Sequence, residues 1–177
     1  MSTTLPSWVR SDRYYEPIPK ELHAQLKSVP STSDGIMEYR PCRVTLTDGR
    51  VLDAVYVVPK ESYIRVWGVW PEDDRGKRSV LISEVRKIEE SPKRLPQKWA
   101  NYIYQGGESA MGGTFFAVKF ADGGAQIYDG GNAIDFVELP EGRRYEDIVG
   151  IERHARTGNP RSHVLPYTWC LYDGIKE

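Results

Sequence analysis

Hydrophobic and polar positions alternate with period two at the start of the region 41–91. Val44 and Leu46 are interleaved with Arg43, Thr45 and Thr47. Successive side chains of a strand point to opposite faces, so this run predicts a half-buried strand. Asp48-Gly49 follows and predicts a two-residue hairpin turn, because glycine tolerates positive φ. Val51–Val58 is the return strand. Tyr63–Trp70 is expected to form a third strand and Arg78–Ile82 a fourth. Ser83-Glu84-Val85 then predicts one tight helical turn before a last strand over Arg86–Glu90. Helical periodicity occurs twice. Leu22, Leu26 and Val29 share a face between Pro19 and Pro30, one proline suited to a first turn and one to a stop. Trp99 and Ile103 share a face after Pro96 and before Gly106, a good terminator.

Residues 114–156 repeat the layout of 41–91. Val118-Lys119-Phe120-Ala121-Asp122-Gly123 matches Val44-Thr45-Leu46-Thr47-Asp48-Gly49 position for position. Asp147–Glu152 matches Glu84–Glu89, and Leu139-Pro140-Glu141 between the anchors echoes Trp70-Pro71-Glu72. Three matches in one order point to internal duplication, the second copy being shorter between its anchors. The organisation expected is an N-terminal arm and helix over 1–40, with a linker at Ser31–Gly35. A first β unit covers 41–91, a connecting helix and Gly-rich loop 92–113, and a second β unit 114–177. The last of these includes a turn at Gly158-Asn159-Pro160 and a closing strand within Val164–Tyr172.

The repeated pattern runs apolar-x-apolar-x-Asp-Gly, return strand, long strand, polar turn, helical turn, final strand. It resembles a small β-barrel of the Sm-like or SH3-like kind. The resemblance implies a mainly β, α+β chain of two tandem small barrels with an N-terminal and a connecting helix. Sm-like RNA sites use loops after the second and fourth strands. Here the loop after the fourth strand is Ser83-Glu84, without the Arg-Gly signature of that family. Compact bacterial binding proteins, toxin-neutralising immunity proteins among them, have folds of similar size.

Composition narrows the class. Of 177 residues 40% are hydrophobic and 28% charged, which argues for a packed chain rather than disorder. The formal net charge is −1 and lends no support to nucleic-acid binding, which draws affinity from basic excess. Two cysteines, Cys42 and Cys170, make no disulfide scaffold, and both are expected to be reduced and buried, a single bridge being the alternative. Met1–Arg10 has no apolar leader segment and Ala54–Val58 is the longest strongly apolar run. The expected location is therefore the cytoplasm.

Four places carry candidate chemistry. Gly107–Thr114 has the spacing of a phosphate loop, but Gly113 replaces its lysine and the segment after it alternates like a strand. Ser109 lacks the second glycine of a nucleophile elbow, Met111 standing there. His23, His154 and His163 have no metal-ligand spacing around them. Asp129 and Asp135 form a candidate carboxylate pair, for which turn chemistry is the simpler account. The expectation is no catalytic residue, no metal and no cofactor.

Tyr63–Trp70 is the remaining feature. Read as a strand, it places Ile64, Val66 and Trp70 on one face and Tyr63, Arg65, Trp67 and Val69 on the other. One face fills a core, and the other is covered within the chain or faces a partner. On the partner reading, Tyr63, Arg65 and Trp67 are binding residues, and Glu72, Asp73 and Asp74 form an acidic rim steering a basic protein. The function expected is a non-catalytic protein-binding protein, of which an immunity protein is one concrete form. The alternatives are an RNA-binding Sm-like protein and an enzyme with an unrecognised site.

Overall fold

The computed structural model describes residues 12–155 and 161–177. Residues 1–11 of the predicted arm, and the predicted turn at Gly158-Asn159-Pro160, lie outside the described residues. In chain order the elements are β1 (Ile18–Pro19), α1 (Lys20–Ser28), β2 (Thr32–Ser33), β3 (Glu38–Tyr39), β4 (Pro41–Leu46) and β5 (Val51–Pro59). There follow α2 (Lys60–Trp67), β6 (Arg78–Ser79), β7 (Val85–Glu90), α3 (Gln97–Gln105), β8 (Thr114–Phe120) and β9 (Ala125–Gly130). The last are β10 (Ile148–Arg153), β11 (Arg161–His163), β12 (Thr168–Tyr172) and β13 (Ile175–Lys176). Short 3-10 turns precede β7 and β10, at Ile82–Glu84 and Tyr145–Asp147. The chain is mainly β with a few helices, and among the described residues no sheet closes on itself.

Two compact units divide the chain. The first takes the N-terminal stretch up to Ser31, Ile36–Pro92 and Tyr167–Glu177. Its sheet has the order β6-β12-β5-β4-β7. The antiparallel β4–β5 pairing is a local hairpin, β7 returns from farther along the chain to pair antiparallel with the other edge of β4, and β12 lies parallel to both β5 and β6. Helix α1 lays Leu22 and Leu26, and the Val29 that follows its last turn, into a core with Cys42, Val44, Leu46, Val55, Val57 and Ile88, so its predicted apolar face is the buried one. Gln25 on the same helix accepts the N–H of Ile88 at 2.8 Å. That bond covers an outward backbone donor on edge strand β7.

The second unit takes Thr32–Gly35 and Lys93–Pro166. Its sheet has the order β10-β8-β9-β11, with β11 parallel to β9. Bond for bond, its hairpin reproduces that of the first unit. Leu46 N–H donates to Arg50 O at 2.8 Å and Gly49 N–H to Leu46 O at 3.0 Å; Phe120 N–H donates to Gly124 O at 2.9 Å and Gly123 N–H to Phe120 O at 3.0 Å. Asp48 accepts the N–H of Arg50, and Asp122 that of Gly124. Thr47 N–H reaches Glu84 O, and Ala121 N–H reaches Asp147 O. Gly49 and Gly123 have φ of 90° and 89°, a backbone a β-carbon would strain. Even the irregularity recurs: the register skips Arg86 against β4 and Val149 against β8.

Tyr63–Trp70 is not a strand, and this corrects the sequence expectation. Lys60–Trp67 is helix α2, led by Pro59 and closed by Gly68 at φ 77°, whose N–H donates to Ile64 O at 3.1 Å. Both periods fit the run, because apolar residues crowd it. The helix signals were Pro before the first turn, Glu61 within it, Arg65 in the last turn and Gly after it. Arg78–Ile82 likewise contains only the short β6 before the 3-10 turn begins at Ile82.

Cys42 and Cys170 are both buried free thiols. They flank β5, Cys42 opposite Val55 and Cys170 opposite Val57. With a strand between them and their partners two positions apart along it, their separation exceeds two inter-strand spacings, about 9–10 Å, and is beyond disulfide reach. Burial pushes the Cys170 thiol well above its ordinary value.

Candidate binding groove

A cavity of about 680 Å³ opens on the second unit. Gln126 and Tyr128 of β9 and Ser162 of β11 line it, with Glu138–Glu141 opposite and His163 and Leu165 at one end. The parallel pairing sets Ser162 beside Tyr128, so both side chains share one face of the sheet. Gln126 is buried, and its amide donates to Ser162 Oγ at 3.0 Å. Tyr128 is fully buried, stacks on Phe116 with centroids 5.6 Å apart, and donates to the Glu138 carbonyl at 2.7 Å. Burial pushes its phenol far above the usual range.

The segment 137–141 is held from several directions. Tyr145 donates to Val137 O at 2.6 Å, and Val137 N–H donates to Lys93 O at 3.0 Å. Arg143 N–H closes a turn on Pro140 O. These bonds leave the carboxylates of Glu138 and Glu141 outward, both residues being exposed. Lys93 Nζ lies 3.7 Å from Glu138. On the facing strand, His163 Nδ1 pairs with Asp129. The arrangement offers a polar floor, a carboxylate-bearing side and an apolar strip of Leu139, Pro140 and Leu165. It suits hydrogen bonding and charge recognition of a chain lying along the sheet.

The predicted partner residues fall elsewhere, on the first unit. Tyr63 is fully buried, which corrects its assignment to a binding surface. Its ring packs edge-on to Trp169 at 4.9 Å, and Trp67 does the same at 5.1 Å. Lys77 Nζ sits 4.4 Å from the Trp67 ring centroid, 3.0 Å from Tyr63 Oη and 2.8 Å from Asp74. Arg65 is exposed on α2. The acidic triplet is tied down within the unit: Glu72 accepts from Tyr15 Oη at 2.7 Å, Asp73 pairs with Arg13 at 2.8 Å, and Asp74 with Lys77. Burial, then the bond to Glu72, pushes the Tyr15 phenol far up.

Other candidates also separate. Asp135 is fully buried and accepts from Thr32 Oγ1 at 2.6 Å and Tyr104 Oη at 2.5 Å, whereas Asp129 meets His163. Ser109 and His154, 45 positions apart, meet at 2.8 Å. Ser109 Oγ also accepts the Phe115 N–H at 2.9 Å, and His154 N–H donates to Phe115 O at 2.8 Å. Together they fasten the Gly-rich loop to β8 and the end of β10. His154 adopts φ 60°, the left-handed region, at a cost of about 1 kcal/mol or more for a residue with a β-carbon. The Gly-rich loop leads into strand β8.

Among the described residues, no group of three or more His, Cys, Asp or Glu side chains is placed to hold a metal ion. No helix among them is long and apolar enough to cross a membrane. No family model matches the chain, and neither curated proteins nor solved structures yield a match.

Proposed function

We propose that this chain is a non-catalytic protein-binding protein whose partner occupies the groove on the second unit. The groove itself is the observation that carries the reading. It is large enough for several side chains, open along the sheet, and walled by a segment whose backbone is pinned by two tyrosines. Such a pre-formed surface loses little conformational freedom on binding. A toxin-neutralising immunity protein is the concrete form proposed. The kinship with SH3/Sm-like small barrels belongs to the same proposal. Its element is the repeated hairpin, 3-10 turn and strand, duplicated, and each copy gains a strand from the C-terminal segment.

The test is purification of the chain from its native host, intact and as Ser162→Trp, which fills the groove floor. The intact chain is expected to bring down one stoichiometric protein and the variant to lose it. Equal recovery with both would remove the groove from the account. The contact of Ser109 with His154 is the observation favouring an enzyme instead. Labelling by a fluorophosphonate that disappears in Ser109→Ala would establish that reading and displace this one.

A further inference from the structure

We propose that the occupant of the groove is an extended, Lys- and Arg-bearing segment of the partner protein; this rests on the binding role proposed above. Shape and charge point to the same occupant. Strand β11 ends its sheet; among the described residues its outer edge carries no further strand, and the 136 segment meets the chain just past it, where Leu165 N–H donates to Phe136 O at 2.9 Å. A segment lying along that edge extends the ladder, and its alternate side chains turn toward the groove. There they meet Glu138 and Glu141, exposed carboxylates on a wall whose carbonyls at 137 and 138 are already engaged by tyrosine hydroxyls. Lys93, at 3.7 Å, is the one cation paired with Glu138 among the described residues. That long, half-exposed contact is easily exchanged for an incoming ammonium or guanidinium. The apolar strip of Leu139, Pro140 and Leu165 receives the aliphatic stems of such side chains. An acidic segment would face the same carboxylates without compensation.

The acidic triplet on the first unit makes a useful contrast. Glu72, Asp73 and Asp74 are each bonded at 2.8 Å or less to Tyr15, Arg13 and Lys77. Their charge is spent on holding that unit together, whereas among the described residues the carboxylates of Glu138 and Glu141 have no partner as close.

Fluorescence anisotropy with the full chain tests the inference, using three labelled peptides of one length. They alternate leucine with lysine, glutamine or glutamate. The lysine peptide is expected to bind at least about five-fold more tightly than the glutamine peptide, and the glutamate peptide most weakly. In the double variant Glu138→Gln/Glu141→Gln the lysine advantage over the glutamine peptide is expected to vanish. Equal affinities for lysine and glutamine peptides in the intact chain, or a lysine advantage surviving in the double variant, overturns the inference. Ser162→Trp separates this failure from that of the groove: peptide binding that persists in Ser162→Trp takes place elsewhere, whatever its charge preference.

Discussion

Replacing Asp135 by Asn probes the best-defined buried network of the second unit. Asp135 is fully buried, and its two carboxyl oxygens accept separate hydroxyls, Thr32 at 2.6 Å and Tyr104 at 2.5 Å. Tyr104 Oη accepts in turn from the Ile134 N–H at 3.1 Å. Asparagine keeps one acceptor and turns the other into a donor facing a hydroxyl. The hydroxyl facing that amide can accept from it, but its own proton loses its acceptor at a buried site, which costs about 1–3 kcal/mol. Relief of carboxylate desolvation offsets part of that, so a net loss of about 2 kcal/mol is expected. Residue-resolved amide exchange is the assay. The Ile134 amide should exchange about 30-fold faster, since about 1.4 kcal/mol is a factor of ten. The Ile88 amide, bonded to Gln25 in the other unit, should not change. Adding Thr32→Val removes the orphaned donor, so the double variant should cost less than the sum of the two single changes. Unchanged Ile134 exchange, or strict additivity, would show that the carboxyl does not organise this network.

Further predictions follow from the first unit and from ionisation. Lys77→Met removes a cation from the Trp67 ring and a donor from Tyr63, and should lower stability by about 1–2 kcal/mol with altered Trp67 and Trp169 emission, read by urea titration. Burial raises the Tyr145 phenol from 10.0 to about 12, with buried Tyr128 and Tyr63 shifted the same way. The unfolded chain therefore releases these protons first. Stability should be full below pH 10 and decline as pH rises through 12, seen as alkaline unfolding by circular dichroism; a flat profile across that window would refute it. Cys42 and Cys170, buried on either side of β5, should react with a thiol reagent only on unfolding and should not cross-link under mild oxidant, as mass spectrometry would record.

Much of the framework was legible because its signals are local. Asp-Gly turns, the alternation through Val44 and Val118, and the helix faces of Leu22 and Ile103 each lie within a few residues of what they specify. In the α2 segment two periods compete, since Tyr63, Ile64, Val66 and Trp67 satisfy either. Capping residues on both sides of the segment decided it. The groove was not legible. It depends on β11 lying parallel to β9, and parallel pairing carries no turn signal to announce it. Leu139-Pro140-Glu141 stood out only as an echo of Trp70-Pro71-Glu72. Ser109 and His154 met for the same long-range reason.

Where a partner touches the chain decides between the groove and the first unit. Amide chemical shifts of the full chain, followed while the lysine-bearing peptide is added, give that footprint. Perturbations confined to residues 126–128, 138–141 and 162–165 are the predicted result. A footprint centred on Arg65 and Asp73 of the first unit, with the groove silent, would contradict it.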